Sequence, residues 1–184
     1  MKSIILSTSY FPPIQYIKKI QHKLIEIECF EHYTKRTIRN RTLILNHIGP
    51  QLLTVPIVGK SYSKTILKNI KIANNSWQSN HIKSIKSAYG SSPFFIYYFQ
   101  EIQDILNKRH TFLLDLNYDI LQFIIDAIKI KTSISYTTCY KENNERIIES
   151  KYRPYKHVFS EKFIPNLSTL DLIFNTGPQS NIYI

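Results

Sequence analysis

Two cysteines, four glycines, one tryptophan and a single methionine are all that this 184-residue chain contains of those types. Each scarcity removes a class of explanation. Cys29 and Cys139 stand far apart in no CxxC pair, so there is no disulfide framework, and such lean usage suits a reducing compartment. The spacing from Cys29 to His32 is C-x-x-H, but no second pair completes a tetrahedral metal site, and neither a metal nor another cofactor is expected. No uncharged apolar run approaches the roughly 20 residues that cross a bilayer. After Lys2 the N-terminus has only Ile4-Ile5-Leu6 before polar residues and Pro12-Pro13, too short for a signal-peptide core. The expected compartment is the cytoplasm. GxSxG, P-loop and GxGxxG patterns are absent, which removes the hydrolase, NTPase and Rossmann fingerprints.

What is present describes a folded globule. Hydrophobic residues make up 43% and charged residues 20%. The length fits one domain over residues 1–184, able to bury roughly 70% of its unfolded surface without covalent staples. Lys and Arg number 24 against 13 acidic residues, for a net charge of +11. That balance invites a nucleic-acid reading through counterion release. The lysines, however, are spread from Lys18-Lys19 through Lys35, Lys60 and Lys86 without a dense block, and AT-rich coding alone enriches Ile, Lys, Asn and Tyr. Charge of this kind speaks to solubility and loose association, so nucleic acid is not the favoured partner.

Along the chain, Ser3 to Ser7 reads as a short buried strand that Pro12-Pro13 ends. Ile14, Ile17 and Ile20 mark a helix from about Ile14 to His22, and Leu24 to Cys29 reads as a second strand, giving a βαβ-type opening. Arg41 to His47 and Leu52 to Val58 form a hairpin about Gly49-Pro50. Lys68 to Ile72 is expected as a further strand. Asn74-Asn75-Ser76 offers a cap to a helix carrying Trp77, His81, Ile85 and Ala88, which Gly90 stops. Ser92-Pro93 starts another, with Phe94, Tyr98, Ile102 and Ile105 on its stripe. The clearest helix runs from Leu116 to Ile130. A strand at Ser133 to Tyr136, a polar loop or short exposed helix from Lys141 to Ser150 and an apolar element from Leu167 to Phe174 complete the chain. The fold class is α/β, a mixed sheet with a βαβ-type N-terminal half and a helical C-terminal half.

Two stretches could carry chemistry. If residues 31–41 are extended, period two puts Tyr33, Lys35, Arg39 and Arg41 on one face, where Arg makes paired bonds to a diphosphate or carboxylate. The alternative is a solvated basic edge strand. His81 lies one helical turn after Trp77, an arrangement that suits a general base near neutrality or a hydrogen-bonded structural histidine. Cys29, in a predicted strand, reads as a small core residue.

Several ordered pieces resemble the WbqC-like family of bacterial proteins. They are Tyr10-Phe11-Pro12-Pro13-Ile14-Gln15-Tyr16, Glu31 through Arg41, Leu53-Thr54-Val55-Pro56-Ile57, Trp77-Gln78 with His81, Ser91-Ser92-Pro93-Phe94-Phe95 and Pro165-Asn166-Leu167-Ser168 with the following apolar run. The resemblance implies a place in O-antigen or other surface-polysaccharide biosynthesis and a cytoplasmic enzyme acting on activated sugars; the expected reaction is a transfer that acylates or aminoacylates a nucleotide-activated or lipid-linked sugar. The resemblance gathers Lys35, Arg39, Asn40, Arg41, Trp77 and His81 into one site. Lys35, Arg39 and Arg41 would hold the anion with Tyr33 behind them, Asn40 would donate to an oxyanion, Trp77 would stack on a sugar or base, and His81 would take the proton. Many members carry a Gln-Pro pair after the first strand, where this chain has Ser7-Thr8. Two rivals remain: a nucleotidyltransferase-like enzyme, although no HxGH stands near Pro12, and a non-enzymatic basic protein binding an envelope-biosynthesis partner or RNA.

Overall fold

The computed structural model describes residues 3–21, 24–59, 65–142 and 153–184. It opens with β1 (Ile4–Ser7), α1 (Ile14–Ile20) and β2 (Leu24–Glu28). β1 pairs with β2 in parallel, from Ile4 opposite Ile25 to Ser7 opposite Glu28. Parallel neighbours require a crossover, and α1 supplies it by burying Ile14, Ile17 and Ile20. The expected end of this helix at His22 lies outside the described residues.

The hairpin follows as β3 (Arg41–Leu45) and β4 (Pro50–Thr54), antiparallel from Arg41 opposite Thr54 to Leu45 opposite Pro50. Asn46 and Gly49 exchange backbone bonds of 3.1 Å across the turn, and Gly49 takes a φ of 140° that favours glycine. The second strand therefore starts and stops earlier than Leu52–Val58. Lys68–Ile72 is not a strand. Leu67–Asn69 is a 3₁₀ turn, because its amides are taken by nearby loops: Leu67 N donates to the Glu31 carbonyl and Lys68 N to that of Cys29. Lys71 and Ile72 make only single bridges, to Phe112 and Ile57.

Three helices come next, α2 (Trp77–Tyr89), α3 (Phe95–Asn107) and α4 (Leu113–Ile128). Ser76 occupies the N-cap of α2 without a side-chain bond, and Asn75 Oδ1 just before it accepts from Trp77 N at 3.2 Å. The stripe Trp77, His81, Ile85, Ala88 is buried as its spacing requires. α4 begins three residues before the expected Leu116 and ends on Lys129, which takes the left-handed conformation at φ 60°. β5 (Ser133–Tyr136) then pairs in parallel with the free side of β2, giving the order β1-β2-β5. α5 (Thr169–Thr176) closes the fold, capped by Ser168. The architecture is mixed α/β: a parallel sheet and a hairpin, with α2 to α5 packed on a core that runs from Leu6 and Tyr10 through Ile124 to Phe174. Among the described residues, no helix is long and apolar enough to cross a membrane.

Candidate functional site: a basic cleft at the end of the first strand

Past β1 the chain turns sharply. Phe11 is fully buried with a φ of 38°, a strained setting for a bulky side chain. What holds it is a set of hydroxyls from elsewhere in the sequence. The Phe11 carbonyl accepts from Thr42 Oγ1 at 2.7 Å and Ser168 Oγ at 3.2 Å. The Pro12 carbonyl accepts from Thr169 Oγ1 at 2.6 Å and from its amide at 2.9 Å. Ser168 N in turn donates to the Leu43 carbonyl at 2.7 Å. Three remote segments, around residues 11–15, 36–43 and 166–169, are thereby stitched together.

Between them lies a cleft of about 530 Å³, lined by Pro13 and Gln15, by Arg36 to Ile38, by Arg41 to Leu43 with Leu52, and by Asn166 and Ser168. This volume falls within the roughly 300–1,000 Å³ of small-molecule sites. The cleft's walls come from the start of α1, the turns before β3, the antiparallel hairpin and the segment before α5. Arg36 and Asn166 also take left-handed backbones, at φ 59° and 64°. Left-handed backbones therefore occur on two walls of the cleft as well as at the buried Phe11 turn behind Pro13.

The cleft is electropositive and holds unspent hydrogen-bonding capacity. Among the described residues, neither Arg36 nor Arg41 makes an ion pair. Arg41 Nε and Gln15 Oε1 are buried without a hydrogen-bond partner. Such atoms are uncommon, because an unsatisfied buried group costs about 1–3 kcal/mol. A ligand carrying an anion would answer the guanidinium.

The basic stretch before β3 has a different geometry from the extended face expected of Tyr33, Lys35, Arg39 and Arg41. Residues 35–40 form successive turns, with Asn40 N donating to the Thr37 carbonyl at 3.4 Å and Thr37 Oγ1 to that of Thr34 at 3.0 Å. Turns destroy the period of two, so the cations point different ways. Tyr33 is buried and Lys35 exposed. Arg39 faces inward and grips Glu31 by two bonds, Nε–Oε1 at 3.0 Å and Nη2–Oε2 at 2.6 Å. It also reaches Ser7 Oγ at 2.9 Å. The pair ties the end of β1 to this loop, with its charge matched by a carboxylate. Of the four, only Arg41 lines the cleft, joined there by Arg36.

Asn40, Trp77 and His81 belong to a buried layer beside Tyr10. The Tyr10 hydroxyl meets His81 Nδ1 at 2.8 Å, and the Trp77 and His81 ring centres are 5.0 Å apart. Burial lowers the His81 pKa to about 4, against the opposing effect of a hydrogen bond to the Thr54 backbone. Asn40 spans to the hairpin, donating Nδ2 to the Val55 carbonyl at 2.9 Å. All three are at least nine-tenths buried and none is among the cleft's lining residues. Cys29 is equally inert, its thiol pushed up to about 11 by burial and by Glu28. Among the described residues, no group of three or more His, Cys, Asp or Glu could hold a metal ion.

A model of the WbqC-like protein family matches residues 8–153. The chain belongs to that family. An uncharacterized protein of Mycobacterium tuberculosis (strain ATCC 25618 / H37Rv) is 25% identical over 197 residues, covering 83% of each chain. No solved structure matches. The family match takes in the cleft from Pro13 to Leu52, whereas Asn166 and Ser168 of this WbqC-like chain lie beyond it.

Sequence reasoning missed Gln15, Arg36 and Asn166. Gln15 stands in the Pro12-Pro13-Ile14-Gln15-Tyr16 stretch and Asn166 in the Pro165-Asn166-Leu167-Ser168 stretch, both of which carry the family resemblance, and that was the available signal. A second buried network also went unread. Asp171 accepts from the Tyr155 hydroxyl and from His157 Nδ1, both at 2.7 Å, while His157 Nε2 accepts from Ile164 N at 3.0 Å. It fastens the segment before Asn166 onto α5.

Proposed function

We propose that this WbqC-like chain binds an activated sugar through its diphosphate or a carboxylate, in the surface-polysaccharide setting that the family resemblance implies, and transfers an acyl or aminoacyl group to or from it. The observation that carries the reading is the pair of guanidiniums on the cleft walls, neither of which has a carboxylate partner among the described residues, beside a pocket of small-molecule size. Planar forks suit paired bonds to one anion. Positioning and charge neutralisation are what such a cleft contributes to transfer. Asn40, Trp77 and His81 act in this reading as positioning residues: they hold Tyr10 and the hairpin, and with them Pro13 and Arg41.

A specific feature favours a second reading. No His, Cys, Asp or Glu is among the lining residues, so a proton-transfer group would have to come from the ligands. A non-enzymatic binding protein would use the same pocket without consuming its ligand. Titrating a nucleotide sugar and an RNA oligonucleotide at two salt concentrations separates a pocket from a polyanion surface. A nucleotide sugar carries no condensed counterion atmosphere, so its affinity should fall far less between 50 and 200 mM salt than the roughly 10³–10⁵ expected of a surface neutralising many phosphates of a nucleic acid. Tight RNA binding with the steep slope, and no binding of the sugar nucleotide, would reject the pocket. Mass spectrometry of the sugar nucleotide after incubation with acyl donors then tells transfer, which adds the mass of the acyl group, from binding, which leaves the mass unchanged.

A further inference from the structure

The cleft's hydrogen-bonding groups are not all available to a ligand. Thr42 Oγ1 and Ser168 Oγ donate to the Phe11 carbonyl, and Ser168 Oγ also accepts from Leu170 N. Thr37 Oγ1 donates to the Thr34 carbonyl and receives Arg39 Nη1 at 3.2 Å. These hydroxyls are occupied in holding the walls together. Groups with capacity left include the guanidiniums of Arg36 and Arg41, which are donors, and Gln15 Oε1, an acceptor with no partner among the described residues on a side chain only 4% exposed.

A bare anion satisfies the donors and does nothing for the acceptor. It would even place negative charge near a carbonyl oxygen that calls for a hydrogen. A buried acceptor left unmatched also discriminates strongly, because a ligand lacking the donor leaves that group desolvated and unpaired.

Resting on the anion-cleft reading above, we propose that Gln15 is the specificity-determining residue of the site, and that its carboxamide oxygen accepts a hydrogen bond from an amine or hydroxyl carried by the ligand beside its anionic group. The ligand class is then bifunctional: an anion for Arg36 and Arg41, and an N–H or O–H donor for Gln15. The α1 backbone fixes the acceptor, and the clamped Phe11-Pro12 turn fixes α1 against the other two walls. The distance between the two recognised groups is set by the fold.

The test uses calorimetry on the full chain with three probes: inorganic sulfate, an anion with no donor; UDP-glucose, with hydroxyl donors; and UDP-glucosamine, with an added ammonium. Gln15→Leu should bind sulfate at least as tightly as the wild type, which also reports an intact cleft, while binding the sugar nucleotides about tenfold or more weakly. Gln15→Glu keeps the acceptor and adds charge. It should retain or strengthen UDP-glucosamine relative to UDP-glucose if the donor is an ammonium, and weaken both while preserving their order if it is a hydroxyl. Wild-type affinity of Gln15→Leu for both sugar nucleotides, with sulfate still bound, overturns the role of Gln15 and leaves the anion cleft standing. Failure of the wild type to bind any of the three probes overturns the cleft itself, and this inference with it.

Discussion

His81 sits between two hydrogen-bond partners, the Tyr10 hydroxyl at 2.8 Å and the Thr54 backbone, and burial holds its pKa down to about 4. In the unfolded chain the same imidazole titrates near 6.5. Between those values the unfolded state binds the extra proton, so stability rises with pH there. The contribution is fully present above about pH 6.5 and is lost as pH falls through 4. Its size is on the order of 3 kcal/mol, since each pKa unit corresponds to about 1.4 kcal/mol. Urea melts of wild type and His81→Gln from pH 4 to 7.5 should show a shallower pH dependence in the variant. Parallel profiles would mean that His81 titrates as an exposed residue and is accessible as a base. The Trp77–His81 spacing was legible in the sequence because both lie on one helical face. Their burial against Tyr10 was not, since no local pattern announces a partner 71 residues away.

Among the elements, α4 is the one whose pattern and packing agree most closely. Leu116, Ile120, Ile124 and Ile128 are all buried, as the 3.6-residue period requires. Ile124 is fully buried, and Ile124→Ala should cost about 2–5 kcal/mol in chemical denaturation. A cost near zero would place that face in solvent. The βαβ opening, the hairpin and the helices α2 and α3 were likewise legible from periodicity and turn residues, whereas α5 showed in the sequence only as an apolar element of unspecified type. Lys68–Ile72 was misread because β-branched composition cannot tell a strand from a segment whose amides bond to a loop. The basic run from Glu31 to Arg41 was misread for a related reason. Its alternation of cations looked like a strand face, but Thr34, Thr37 and Asn40 supply the side-chain and backbone bonds of successive turns. Arg36 fell on the wrong face of that imagined strand, which is why the sequence reading passed it over.

On the scale of the whole molecule, the charge of +11 has a local meaning that composition could not disclose. Arg39 is matched by Glu31, while Arg36 and Arg41, at the cleft, have no carboxylate partner among the described residues. Assembly of that cleft depends on contacts such as Thr42 and Ser168 to Phe11 and Thr169 to Pro12, made across separations of 31 and 157 residues. Single-sequence periodicity carries no information at that range, so the identity of the family could be read in the chain while the walls of its site could not. The central claim, that this cleft is a specific anion pocket, rests on the geometry of Arg41. Arg41→Lys keeps the charge and removes the planar fork together with the buried Nε. Calorimetric titration of a nucleotide sugar into wild type and Arg41→Lys at fixed ionic strength is the most direct test. The account predicts a loss of about 1.5–3 kcal/mol, the range for hydrogen bonds to charged groups; equal affinity in the two proteins would contradict it, because a point charge would then serve as well as the fork.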